Sequence, residues 1–256
     1  MNFRDKVIVV TGAGAGIGKG IAEEFAKEGA RIAVLEINAE TGAKAAEELR
    51  EQGTDAVFIQ TDVSSNDSVK SAVEQVAAQW GVIDALINNA GIAVWKGVKE
   101  LTSEDWDRVM GVNLKSVFLL SKYSIPFMKD SSVKSIVNIS SVHAENTIAN
   151  YDAYVTAKGG IQSLTRSMSL TLQEDRIRVN GVCPGFIDTE MFQKFLESLD
   201  DPEAYLKYIL AFHTRGRIGT PKDIGRVCIF LCSPDADFIN GQLITVDGGV
   251  SFQLKH

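Results

Sequence analysis

Seven short apolar runs alternate with stretches of helical periodicity along the chain, and this alternation is what most narrows the folds open to it. The runs are Val7–Val10, Ile32–Leu35, Ala56–Ile59, Ala85–Ile87, Ile136–Ile139, Arg178–Cys183 and Gln242–Val246. A run that is apolar at every position, rather than at every second one, has no face suited to water, so both faces of its strand need a cover. The segments between the runs can supply it. Ile17, Ile21 and Phe25 repeat at one helical turn over Ile17–Glu28, with Gly29 as the stop, and helices are expected over Glu40–Gln52 (ended by Gly53) and Ser68–Gln79. Longer helices are expected over Ser103–Lys129, capped by Thr102, and over Tyr151–Glu174. The pattern predicts an α/β fold, a parallel sheet with helices on both faces.

No linker, repeat or low-complexity stretch interrupts this pattern, so residues 1–256 read as one domain. Residues 189–214 stand outside the alternation. They carry Phe192, Phe195, Leu196, Leu199, Tyr205, Leu206, Tyr208, Ile209 and Phe212 on two expected short helices around Pro202. An amphipathic excursion after a strand's carboxyl end suggests a lid over a site, with a subunit-packing surface as the alternative.

The first strand runs into Thr11-Gly12-Ala13-Gly14-Ala15-Gly16-Ile17-Gly18 and then a helix. In that context Gly12, Gly16 and Gly18, with Ile17 opening the helix, allow a tight turn whose backbone N–H groups approach a pyrophosphate at the helix N-terminus. Glu36 ends the second strand, where a carboxylate accepts hydrogen bonds from both adenosine ribose hydroxyls and repels a 2′-phosphate. Ala15, Ile37 and Asn38 offer no cation for that phosphate, so NAD is expected over NADP; Lys19 and Arg31 are the residues that would upset the preference.

The balance of charge excludes several other functions. At net charge −7 and with no run of five like charges, the chain has neither a nucleic-acid patch nor a basic membrane face. No apolar stretch approaches eighteen residues, and only four apolar residues stand between Lys6 and Thr11, so a cytoplasmic location is expected. Cys183, Cys228 and Cys232 read as small buried hydrophobes rather than metal ligands; no metal site is expected.

Tyr154 and Lys158 lie one helical turn apart in Tyr-Val-Thr-Ala-Lys, and Ser141 stands thirteen residues upstream of Tyr154. On one helix face the lysine charge favours phenolate and is expected to draw the Tyr154 pKa down from about 10. Tyr151 has Val155 at its own i+4 position and lacks that partner. From the glycine turn through Asp62-Val63, Asn88-Asn89-Ala90-Gly91, Asn113, Ser141, Tyr154, Lys158 and Pro184-Gly185 to Thr189, the ordered set resembles a classical short-chain dehydrogenase/reductase, over about Lys6 to Gly249.

That resemblance implies a Rossmann-type doubly wound, mostly parallel seven-stranded sheet and the interconversion of a secondary alcohol and its ketone. It implies that Asp62 and the Val63 backbone hold adenine, that Asn88, Asn89, Ala90 and Gly91 lie beside the nicotinamide ribose, and that Thr189 and the Ile187 backbone grip the carboxamide after Pro184-Gly185. Tyr154 would carry the proton, Lys158 would lower its pKa and bind ribose, Ser141 would donate to the substrate oxygen, and the Asn113 carbonyl would hold a relay water. A homotetramer is implied, through the two long helices and a second contact that includes Ser251–His256. His143 and Glu145 resemble the loop of sugar and polyol dehydrogenases; His143 is taken as a substrate contact, with a solvated loop as the alternative. Thr156 and Ala157 replace the family's usual residues between the pair without changing its spacing. A sugar or polyol is the first expectation for substrate, and 3-oxoacyl-thioester reduction is the alternative.

Overall fold

The structure is a computed structural model that describes residues 2–252; Met1 and residues 253–256, most of the tail expected at the second subunit contact, lie outside the described residues. The first half runs β1 (Val7–Thr11), α1 (Gly16–Lys27), β2 (Arg31–Glu36), α2 (Ala39–Glu51), β3 (Ala56–Gln60), α3 (Asn66–Trp80) and β4 (Ala85–Asn88). The second half runs α4 (Ser103–Met110), α5 (Ser116–Ser124), β5 (Ser135–Ile139), α6 (Asp152–Thr171), β6 (Arg178–Pro184), α7 (Glu190–Glu197), α8 (Pro202–Phe212), α9 (Pro221–Cys232) and β7 (Leu243–Val246). The seven strands form one sheet in the order β3-β2-β1-β4-β5-β6-β7, and every pairing is parallel.

The continuous apolar runs are explained by two cores. Ile8, Val10, Ile32, Val34, Ile87 and Val137 face a layer built from Ile21 and Phe25 of α1, Leu49 of α2, and Ile224 and Cys228 of α9. Their neighbours Val7, Val9, Ala33, Leu35, Leu86 and Ile136 face Val69, Val73 and Val76 of α3 and Leu119 and Leu120 of α5. Each such side chain contributes roughly 1.5–3 kcal/mol when taken fully out of water, so neither face tolerates alternation with polar residues. Cys228 and Cys232 are unpaired, buried and part of the first core.

The long helix expected over Ser103–Lys129 is divided. Thr102 caps α4 by accepting from Asp105 N at 3.1 Å, as expected, but Gly111–Lys115 is a π-helical turn before α5. A single-turn 3₁₀ segment over Ile125–Phe127 then ends the helix, because Pro126 cannot continue the i→i−4 ladder.

Strand order places the site. From β1 the chain winds outward to β2 and β3, then crosses back to β4 on the other side of β1, so the carboxyl ends of β1 and β4 part and leave a crevice. The Thr11–Gly18 turn and Asn89–Gly91 meet there. No helix among the described residues is long and apolar enough to cross a membrane.

Candidate active site

At the crevice Thr11 Oγ1 accepts from the backbone N–H groups of Asn89 and Ala90 at 2.9 and 3.0 Å, while Asn89 Nδ2 donates to Thr11 O at 2.9 Å. This reciprocal clamp locks the glycine turn to the end of β4. Thr11 was not singled out for a role from sequence; the available signal was a hydroxyl closing an otherwise apolar strand. Gly12 takes φ +62°, a left-handed conformation, and a Cβ on Gly18 would be driven into the Gly12 carbonyl oxygen, which is why both positions carry no side chain. Ala15 precedes α1 in extended conformation, and no side chain caps the helix. Its first N–H groups therefore remain available to an anion.

Glu36 turns back into the same loop. Its Oε2 accepts from Gly14 N at 3.2 Å, and its Oε1 accepts from Ile37 N and Asn38 N at 2.9 and 3.1 Å. The two cations of concern are engaged elsewhere: Lys19 pairs with Glu48 at 2.5 Å, and Arg31 pairs with Asp5 and Asp55 at 3.2 and 3.6 Å. Asp62 follows β3, with Oδ1 accepting the Ser64 N–H and hydroxyl at 2.9 and 2.7 Å, and Val63 is buried. After β6, Pro184 and Gly185 lead to Ile187, which bridges to Gly219, and to Thr189, whose hydroxyl caps α7 by accepting from Phe192 N at 3.3 Å. The Thr189 methyl lies over the glycine turn, 3.5 Å from where a Gly16 Cβ would stand.

Ser141, Tyr154 and Lys158 converge across the crevice. Ser141 follows β5 in extended conformation, and its Oγ accepts from His143 N at 3.1 Å, which leaves its proton free to be donated. Ser141 and Tyr151 both act on the Tyr154 phenol and pull its pKa down. Ser140, next to Ser141, donates instead to Lys158 O at 2.9 Å. Lys158 Nζ lies 5.5 Å from the Tyr154 ring centre and donates to Ile139 O at 2.8 Å. Asn113 lies on the π-helical turn, where its amide exchanges two hydrogen bonds with the Ile92 backbone at 2.8 and 2.9 Å. Gly91 sits between Asn113 and Lys158; a Cβ there would be 3.5 Å from Asn113 Oδ1 and 3.6 Å from Lys158 Nζ.

The electrostatics differ from the expectation in one respect. Burial pushes the Tyr154 phenol up from its ordinary value, against a smaller downward pull from Ser141 and Tyr151. Burial also brings Lys158 down to about 8. The anticipated net depression of Tyr154 is absent because burial outweighs the downward pulls on the phenol, while the Lys158 ammonium, bonded to the Ile139 carbonyl, lies over the Tyr154 ring.

His143 and Glu145 part company. His143 sits edge-on to Tyr151 at 5.2 Å and to Phe186 at 6.4 Å, and its Nδ1 is buried without a hydrogen-bond partner. Burial lowers its pKa, partly offset by a hydrogen bond to the Asn146 backbone, so the ring is neutral at neutral pH. Glu145 instead borders a cavity of about 410 Å³, shared with Ser141, Gln162, Arg166 and Gln242.

The family model described as enoyl-(acyl carrier protein) reductase matches residues 12–251. Among the relatives is a 3-oxoacyl-(acyl-carrier-protein) reductase of Chlamydia muridarum, 36% identical over 96% of this chain and 98% of its own. The solved aldohexose dehydrogenase of Thermoplasma acidophilum is 37% identical, with a TM-score of 0.88 over 99% of this chain and 97% of its own. The chain belongs to the classical short-chain dehydrogenase/reductase family. A further member of that family, L-sorbose reductase of Gluconobacter frateurii solved with NADPH and L-sorbose, is 28% identical with a TM-score of 0.93 over 99% of both chains. As a short-chain dehydrogenase/reductase the protein is an oxidoreductase acting on alcohols and ketones. The cleft has an aromatic wall: Trp95 stacks on Tyr151 and on Phe195, at 5.8 Å from each, and so joins the Tyr154 region to α7. Phe195, like Phe186, had no place in the sequence reading beyond the apolar pattern, since ring stacking between distant segments leaves no local signal.

Proposed function

We propose that the protein is an NAD-dependent dehydrogenase that interconverts a secondary alcohol and its ketone, with a sugar or polyol as the substrate class. The observation that carries this is the placement of buried Lys158 over the Tyr154 ring, with Ser141 acting on the same phenol, at the crevice where the glycine turn is clamped to β4. The residues present fit a dinucleotide: an uncapped helix N-terminus for the pyrophosphate, Glu36 in the ribose position, and Asp62, Asn88, Ala90, Gly91, Ile187 and Thr189 along the rest of the edge. When bound, the nicotinamide accepts or donates the hydride.

Tyr154 takes the hydroxyl proton in oxidation and returns it in reduction. Ser141, its oxygen held by the His143 N–H, donates to the substrate oxygen as charge develops there. Lys158 anchors the carboxyl end of β5 through Ile139 and supplies positive potential to Tyr154, and Asn113 holds the loop at Ile92 against the same site. His143 offers a hydrogen-bonding nitrogen to a second substrate hydroxyl; its unpartnered, buried Nδ1 supports this. The carboxylate of Glu36 and the engagement of Lys19 and Arg31 favour NAD over NADP. Residues 1–256 are taken as one domain, with 189–214 as its lid, in a cytoplasmic homotetramer.

Reduced-nicotinamide absorbance, followed with NAD and NADP against sorbitol, glucose and cyclopentanol, tests the reading. Turnover with NAD is expected, falling about 100- to 10,000-fold in Tyr154→Phe while coenzyme binding persists. Full activity in Tyr154→Phe would remove the mechanism. A second reading, reduction of a 3-oxoacyl thioester, is favoured by the Chlamydia relative. Turnover of acetoacetyl-CoA with NADPH, and none of the alcohols with NAD, would establish it instead.

A further inference from the structure

Tyr151 stands three residues before Tyr154, at the boundary where α6 begins. Asn150 ahead of it holds φ +60°, a left-handed conformation, and the Asn150 side chain lies against Gly97 in the loop that carries Trp95. This reversal delivers the Tyr151 ring inward, where it is 6% exposed. Its ring lies almost parallel to that of Tyr154, with centres 4.3 Å apart and 14° between planes. Trp95 lies parallel to the Tyr151 ring as well, at 5.8 Å and 5°, and His143 closes the edge at 5.2 Å.

We propose that Tyr151 is a positioning residue for Tyr154: its ring fixes the plane of the Tyr154 phenol, and its hydroxyl donates a hydrogen bond that stabilises the Tyr154 phenolate. This rests on the reading of Tyr154 as the proton carrier. The pair has a built-in asymmetry, because Tyr154 has Lys158 one turn on whereas Tyr151 has Val155. Charge therefore settles on Tyr154, and Tyr151 remains the donor.

The other groups around Tyr154 do not substitute for this contact. On α6 the charged neighbour is Lys158, which is committed to the Ile139 carbonyl. From the segment after β5 come the Ser141 hydroxyl and His143, whose ring centre is 6.5 Å away and which burial keeps neutral. From β6 comes Cys183, whose thiol burial keeps protonated and therefore uncharged. Trp95, Phe186 and Phe195 carry no charge. Burial raises Tyr151 well above the ordinary phenol, and Tyr154 adds to the rise, consistent with a proton that stays on Tyr151.

Tyr151→Phe keeps the stacked ring and removes only the hydroxyl. Two readouts follow it. The first is the pH dependence of kcat/KM for cyclopentanol oxidation with NAD; the second, independent of turnover, is the ultraviolet phenolate titration of the full chain with NAD bound. In the titration the Tyr154 signal is isolated by subtracting Tyr154→Phe, and in the Tyr151→Phe background by subtracting the double variant. The expected result is an upward move of the Tyr154 midpoint by about one pH unit in Tyr151→Phe, because a hydrogen bond to the charged form has been lost. An unchanged midpoint overturns the proposal, whatever happens to the rate. Undiminished turnover in Tyr154→Phe would overturn the underlying assignment, and the titration would still report on the hydrogen bond.

Discussion

Lys158 is buried with its ammonium on the Ile139 carbonyl, and that burial brings its pKa to about 8 against 10.5 for an exposed lysine. Below pH 8 the folded and unfolded chains are both protonated at this position, and the cost of burying the charge is present in full. Between pH 8 and 10.5 the unfolded chain holds the extra proton, so stability rises with pH, by at most about 1.4 kcal/mol per unit for one group. Urea unfolding of the coenzyme-free chain, compared with Lys158→Met across this range, is expected to show the wild type gaining on the variant as pH increases; parallel curves would contradict it. The residues of the site were legible as identities, because the Tyr154–Lys158 and Ser141–Tyr154 spacings are local along the chain. The sense of the Tyr154 shift was not, since it depends on how deeply the phenol is buried and where the lysine nitrogen is bonded, and neither is encoded in spacing. Thr11 escaped for a related reason: its partners Asn89 and Ala90 are 78 and 79 residues away.

At the scale of elements, α9 shows how a cap supports the coenzyme side of the molecule. Asp223 accepts from Thr220 N and its hydroxyl at 2.7 and 2.8 Å, and Arg217 grips both of its oxygens at 2.8 Å, which holds its carboxyl well below the ordinary carboxylate range. Pro221 opens the helix so close to α1 that a Cβ on Gly20 would collide with it. Asp223→Asn is expected to cost about 1 kcal/mol, the usual worth of a cap, with the exposed Arg217 pair adding little. Thermal unfolding would measure it, and an unchanged Tm would show that the cap is idle. Strands were readable because burial on both faces makes their residues mostly apolar, and the Thr102 cap because a hydroxyl before an acidic first turn has few other uses. The π-helical turn over Gly111–Lys115 was not readable: its hydrogen bonds span only one residue more than an ordinary helix's, and Asn113 on it reaches to Ile92, a contact between separate segments.

For the whole molecule, the proposed assembly makes a direct claim on the outer helices. Trp106 of α4, Phe118 of α5 and Leu170 of α6 are 38%, 49% and 74% exposed, apolar surface that a second copy would cover. Light scattering is expected to give four times the 27.8 kDa chain mass for the wild type and a smaller species for Phe118→Asp; a monomeric wild type would refute the tetramer. The sheet order carries a consequence for biosynthesis. β3, β2, β1 and β4 are adjacent in space and all lie within the first 88 residues, and from there β5, β6 and β7 are added one by one at a single edge. Each of these later strands leaves the ribosome after the edge it will join has been made, so translation delivers the sheet in the sequence in which it can be laid down.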